Sequence, residues 1–235
     1  MMRARLRCFA SPPQHCPYVP DRLSSNLFAD PAILDNKLYS QLIRLGFRRS
    51  GAYVYQPHCP ACSACVPIRV EVADFRPRRR HRRCLQINQD IRLSVNRHGL
   101  LDEYFPLCQS YLRQRHAGGG MEAMDMPQLQ GFLSCAWSQT EFLELHKGDR
   151  LLAIAATDRV ADGLSAVYTF FDPDDGWRGL GTYAILKQIE YARELGLSWL
   201  YLGYWIEACA KMKYKTGFQP FQTFDGTEWT EPNRR

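Results

Sequence analysis

The chain has 235 residues, 46% of them hydrophobic and 23% charged, with a net charge of +6. That length buries a full core as one large domain or two small ones, and the composition excludes disordered, collagenous and coiled-coil classes. No apolar run approaches the roughly 18–20 residues that span a bilayer, and the basic start, Met1 to Tyr18, lacks the apolar segment of a secretory signal. Nine cysteines without such a signal predict reduced thiols in a cytoplasmic protein rather than disulfides. The charge is polarised: residues 1–115 hold 19 Lys+Arg against 8 Asp+Glu, and residues 116–235 hold 11 against 16. A basic front half facing an anionic partner is the expectation. Its densest stretch, Phe75 to Arg83, packs six Arg and one His into nine residues. Mutual repulsion disfavours such a run unless an anion is near, and a nucleic-acid phosphate backbone is the candidate.

In chain order, residues 1–30 read as irregular. Asp30-Pro31 then caps and opens a helix carrying Leu34, Leu38, Leu42 and Leu45, closed by Gly46. Residues 47–57 read as a strand or hairpin arm, 58–66 as a cysteine loop and 67–73 as a strand with alternating Ile68, Val70 and Val72. The basic stretch follows, then a strand over 90–95 and a helix over 100–115. Gly118-Gly119-Gly120 marks a hinge or boundary. A helix capped by Asp125 is predicted over 126–137, strands over 141–147, 150–158 and 164–171, the last two joined by a turn at Ala161-Asp162-Gly163. A polar loop leads to a helix over 181–195, a strand over 199–202, a short helix near 207–215 and a strand over 218–224.

Strand, strand, helix, strand, helix, strand over 150–224 resembles the GNAT N-acyltransferases. The expected class is therefore α/β (α+β), with a GNAT-like domain over 101–235 and a basic, cysteine-containing N-terminal region over 1–100 packed on it. Arg178-Gly-Leu-Gly181 opens the long helix, where free N–H groups and small residues favour an anion, so Arg178 and Gly181 are candidate substrate-binding residues. Tyr214-Lys-Thr-Gly217-Phe218 resembles the segment ending many GNAT domains, in which the tyrosine protonates the leaving group. One departure stands out. GNAT enzymes that use coenzyme A carry Gly or Ala where this chain has Tyr183, and a bulky ring there argues against a docked diphosphate and for aminoacyl-tRNA as donor.

The ordered set of motifs is more specific. Cys16-Pro-Tyr18, Gly46-Phe-Arg48-Arg49-Ser50-Gly51, Cys59-x-x-Cys62-x-x-Cys65-Val-Pro67, Ser165-x-x-Tyr168-Thr-Phe-Phe-Asp-Pro173, Tyr201-Leu-Gly-Tyr-Trp-Ile206 and Lys211-Met212-x-Tyr214-Lys215 resemble the arginyl/leucyl-tRNA–protein transferases over residues 10 to 225. The chain is most similar to the bacterial branch that acts on N-terminal Asp and Glu. It departs at Arg78-Arg79-Arg80-His81, where the family has Ser-Arg-Ser-Gln. The resemblance implies that a protein's α-amine attacks the ester of leucyl-tRNA, and that the new N-terminal Leu directs the protein to N-end-rule degradation. Near-attack positioning, oxyanion stabilisation and protonation of the ribose oxygen, with Tyr214 as the acid, are then the tasks. No cofactor is required for that chemistry.

Acceptor choice needs cations. Arg48 and Arg49, flanked by Tyr53 and Tyr55, are candidates for reading the acceptor carboxylate, with Arg76 another; neighbours on a strand point opposite ways, so one of the pair is expected to serve. Cys59, Cys62 and Cys65, with Cys16 as a fourth, have spacing suited to Zn or an iron–sulfur cluster, and free thiols are the alternative. Two competing functions remain at this point: a coenzyme A-dependent acetyltransferase of the same fold, and a non-catalytic RNA-binding module.

Overall fold

The structure is a computed structural model and describes residues 6–100, 102–116, 118 and 120–232. The first part of the chain forms strands β1 (Cys8–Ala10), β2 (Gln14–His15), β3 (Leu23–Ser24) and β4 (Asn26–Ala29), helix α1 (Asn36–Arg44), and the hairpin β5 (Arg48–Ser50) and β6 (Tyr53–Pro57). Then come β7 (Val66–Glu71), α2 (Arg79–Ile87), β8 (Arg92–Asn96), α3 (Phe105–Arg115) and α4 (Met126–Leu133). The remainder is β9 (Thr140–Lys147), β10 (Arg150–Val160), β11 (Gly163–Phe171), α5 (Leu180–Glu194), β12 (Trp199–Trp205), β13 (Phe221–Phe224) and β14 (Trp229–Thr230), with 3-10 turns at Pro173–Arg178 and Ala210–Gly217.

An eight-stranded mixed sheet, ordered β14-β13-β7-β12-β11-β10-β9-β8, is the frame. It interleaves strands from both ends of the chain: β7 lies between β12 and β13, and β8 closes the far edge beside β9. A smaller sheet, β1-β4-β6-β5, stands apart from it. Alternation along β9 and β10 places Leu143, Leu145, Ala153 and Ala155 on one face, in the cluster with α5 and α2. Phe142, Ile154 and Ala156 face the other way, against α3 and α4. Both faces are covered, which is why these strands read as nearly continuous apolar runs. Burying each Leu, Ile or Phe among them contributes roughly 1.5–3 kcal/mol. A third cluster, with Tyr39, Leu42, Ile43 and Val54, seats α1 and the β5–β6 hairpin against Val160 and Tyr201.

Several elements differ from the sequence expectation. Residues 1–5 lie outside the described residues, and 6–30 hold short strands, because their hydrogen bonds are made to distant partners such as β6. Asp30-Pro31 starts only a 3-10 turn; Leu34 is extended, and the helix proper begins at Asn36, where Asp35 Oδ1 accepts from the Leu38 N–H at 2.6 Å. The second half of the basic run, from Arg79, is helical. His81 and Cys84 form its buried stripe, with Asn88 at its end, so the helix is seated by residues that a hydrophobicity pattern does not mark. The His81 ring stacks on Phe218 at 5.0 Å, and burial beside Arg80 and Arg78 lowers its pKa to about 4, leaving it neutral. The glycine boundary lies partly outside the described residues, at positions 117 and 119.

Candidate active-site cleft and strand splay

Strands β11 and β12 are parallel, and they pair only at Gly163–Trp199, Leu164–Leu200 and Ser165–Tyr201. Gly163 is obligatory there, since a Cβ would overlap the Trp199 carbonyl. Beyond Ser165 the strands part, leaving carbonyls without ladder partners. Arg48 enters the gap from the hairpin: its guanidinium donates to Ala166 O of β11 at 2.5 Å and to Tyr201 O of β12 at 3.4 Å. Gly203, at φ +85°, makes room, because a Cβ there would sit 3.3 Å from Arg48 Nε. Lys215 comes in from the 3-10 turn and donates from Nζ to Tyr204 O at 2.5 Å.

A cleft of about 230 Å³ opens at the start of α5, and Tyr214, next in sequence to Lys215, stands in its wall. Its walls include Arg80 and Arg83 of α2, Trp177, Gly179, Thr182 and Tyr214. Gly179 adopts φ +64° at the N-cap, and no side chain caps the helix. The first N–H groups of α5 therefore remain available to an anion, with the helix dipole favouring negative charge. Trp177 is 66% exposed and Tyr214 47%, so two aromatic surfaces stand open to solvent. Arg80 lies directly over Gly217, where any Cβ would coincide with its guanidinium. Burial, with Tyr111 nearby, pushes the Tyr214 phenol above its ordinary pKa, so it carries its proton at neutral pH.

Arg178 borders this cleft but is already engaged. It is buried, donates to Asp90 at 2.8 and 3.0 Å, and bonds Ile87 O at 3.2 Å, fastening the end of α2 to the entrance of α5. Gly181 does not line the cleft; a Cβ there would press on Phe171 at 3.3 Å, so its smallness serves packing against β11. Tyr183 requires a correction. Its ring is buried in the core and is absent from the cleft wall, so it does not crowd an incoming diphosphate. That ring therefore gives no ground against coenzyme A.

The remaining candidates are dispersed. Arg49 is fully buried and paired with Asp158, its Nε 2.6 Å from Oδ2. It is a structural cation, and Arg48 is the member of the pair that reaches the splay. Tyr53 is exposed on the hairpin, edge-on to Phe28. Arg76 points to solvent with Nη1 on Ala73 O at 2.7 Å, away from the cleft. The residues not anticipated are Trp177 and Lys215; both lie in segments whose patterning is polar, and only their exposure or burial distinguishes them.

Cys16, Cys59, Cys62 and Cys65 share a second cavity of about 340 Å³ with Tyr18, Tyr55 and Tyr204. Burial and the neighbouring Cys59, Cys16 and Cys62 raise the Cys65 thiol to about 11, which keeps it protonated. Among the described residues, no group of three His, Cys, Asp or Glu side chains converges as a metal ion requires. The four thiols gather around one cavity.

Fold and cleft together define a mixed α/β protein with a cationic, aromatic-walled recess suited to a large anion. The chain belongs to the arginine-tRNA-protein transferase family: the model for the family's N terminus matches residues 14–83 and that for its C terminus residues 103–225. Similar curated proteins are the aspartate/glutamate leucyltransferases of Alcanivorax borkumensis, 47% identical over 97% of this chain and 96% of that protein, and of Teredinibacter turnerae, 47% identical over 96% and 94%. That of Saccharophagus degradans is 43% identical over 95% and 96%. A solved C-terminal domain (DUF2156) of a putative lysylphosphatidylglycerol synthetase from Agrobacterium fabrum aligns with a TM-score of 0.48 and 12% identity, over 77% of this chain and 57% of that one. Among the described residues no helix is long and apolar enough to cross a membrane.

Proposed function

We propose that this chain transfers leucine from leucyl-tRNA to the α-amine of proteins beginning with Asp or Glu, in the cytoplasm, marking them for N-end-rule degradation. The observation that carries the reading is near-full-length identity, up to 47%, to relatives bearing that activity in their names. The cleft supports it. Phosphates of the acceptor end lie against Arg80, Arg83 and the first amides of α5, and a terminal base stacks on Trp177. The ester is already activated and an α-amine has a pKa near 7.7–8.0, about neutral. Amine and ester need only be held at near-attack distance; Tyr214 protonates the departing ribose oxygen, and the proton shed by the amine as the amide forms restores the phenol. Residues 1–100 supply the arginine helix and Arg48, and residues 101–235 the transfer centre. The three-residue parallel contact of β11 with β12, spanned by α5, supports a GNAT-like lay-out for that second part. The chemistry proceeds on these residues without a cofactor.

The test supplies leucyl-tRNA, arginyl-tRNA or acetyl-CoA to the purified protein with peptides beginning Asp, Glu, Lys or Ala. Labelled leucine is expected on the Asp and Glu peptides alone. Acetyl transfer would establish the coenzyme A reading instead, and RNA binding without any amide product the non-catalytic one. A second expectation concerns salt. Removing Arg80 and Arg83 together by Ala substitution should flatten the slope of log affinity for tRNA against log salt by about 1.4, two single-strand phosphate contacts. A filter-binding titration checks it, and an unchanged slope would place the RNA elsewhere.

A further inference from the structure

Among the residues described, four Lys or Arg side chains are buried. Arg49 is neutralised by Asp158 and Arg178 by Asp90. Arg48 and Lys215 have no such partner: among the described residues no carboxylate comes within ion-pair distance of either. Each donates only to backbone carbonyls, Arg48 to Ala166 O and Tyr201 O, Lys215 to Tyr204 O. An ammonium has three donors and a guanidinium five, so hydrogen-bonding capacity is left over on both. Two desolvated cations in one gap repel each other. Burial first, then Arg48, lowers the Lys215 pKa to about 7, opposed only by Cys209. Buried charges are ordinarily paired, and two cations buried together without an anion leave a charge that a bound anion would compensate.

We infer that Lys215, acting with Arg48 in the β11–β12 splay, is the specificity-determining receptor for the side-chain carboxylate of the acceptor's first residue. This rests on the proposed acceptor class and names the groups that read it. The bound carboxylate completes the missing ion pair, and Tyr214, one residue before Lys215, serves the ester under attack from the cleft at the start of α5. An acceptor starting with Asn or Gln has the same shape and no charge, so it leaves both cations uncompensated. Rejection of the neutral isostere follows from that penalty rather than from a clash.

The experiment uses the full chain with leucyl-tRNA and peptides that begin with Asp or Asn. Lys215→Gln keeps a donor for Tyr204 O and removes the charge; Lys215→Arg keeps the charge. The Gln variant is expected to lose about 10- to 100-fold in the Asp-over-Asn ratio of kcat/KM, through acceptor KM, with the tRNA KM unchanged. The Arg variant should retain the discrimination. If the Gln variant does not fold, Lys215→Met, which no longer buries an unpaired charge, bears the same test. A ratio preserved in the charge-free variant, or an equal loss toward both peptides, overturns the assignment. Failure of the wild-type protein to leucylate the Asp peptide would instead sink the functional reading, so the two failures are read on different proteins.

Discussion

Arg49→Met is expected to lower the unfolding free energy by about 3–5 kcal/mol, because it strands a buried carboxylate. Both Arg49 and Asp158 side chains are 0% exposed. The guanidinium spans them with Nε to Oδ2 at 2.6 Å and Nη2 to Oδ1 at 2.7 Å, and also reaches Gly51 O at 2.9 Å and Leu133 O at 2.6 Å. One side chain thereby joins the β5–β6 hairpin, the end of α4 and strand β10. Methionine fills the volume and leaves Asp158 with only Thr140 Oγ1, at 2.7 Å, to bond it. The double variant Arg49→Met, Asp158→Leu should recover most of the loss, since an apolar pair removes both desolvation penalties. Urea denaturation of the three proteins gives the numbers. A single-variant loss below about 1 kcal/mol would mean the pair is not buried as described.

Tyr214→Phe should reduce kcat for leucyl transfer by about 10²- to 10⁴-fold, the usual contribution of a positioned general acid. The ring stays, so stacking and cleft shape survive, and the KM for leucyl-tRNA should move little. Burial holds the phenol above its ordinary pKa, so the proton is present throughout the neutral range and the wild-type rate should show no loss of acid form there. Single-turnover measurement with a fixed Asp peptide separates the chemical step from product release. If the Phe variant turns over at the wild-type rate, the ribose oxygen takes its proton from elsewhere.

Much of the frame was legible from residue order. Alternation in β7 and the apolar runs of β9 to β11 reflect burial on one or two faces, which periodicity reads directly. Asp125 and Gln128 form the reciprocal cap expected of such a helix start. Other features were hidden because their causes are remote. The fate of Arg49 is set by Asp158, 109 positions away, and no local pattern separates it from Arg48. The arginine run is helical because His81 stacks on Phe218 and Cys84 packs beside Gly179, contacts that composition conceals. Lys215 stands in one of the family motifs without a role assigned to it; its burial beside a second cation gives it one. Tyr183 shows the opposite error. Motif spacing placed a ring at the mouth of a cleft, and the helix turned it inward.

The place of β7 in the large sheet also bears on biogenesis. Arg69 of that strand bonds Gln222, 153 positions onward, and the strand's hydrogen-bonding neighbours on both sides come from the final quarter of the chain. On the ribosome, Val66–Glu71 must wait as an open ribbon until β12 and β13 have left the exit tunnel. Native pairing of β7 therefore comes late, and folding is slow relative to proteins dominated by local pairings. During that interval the unsatisfied edge is open to pairing with other chains.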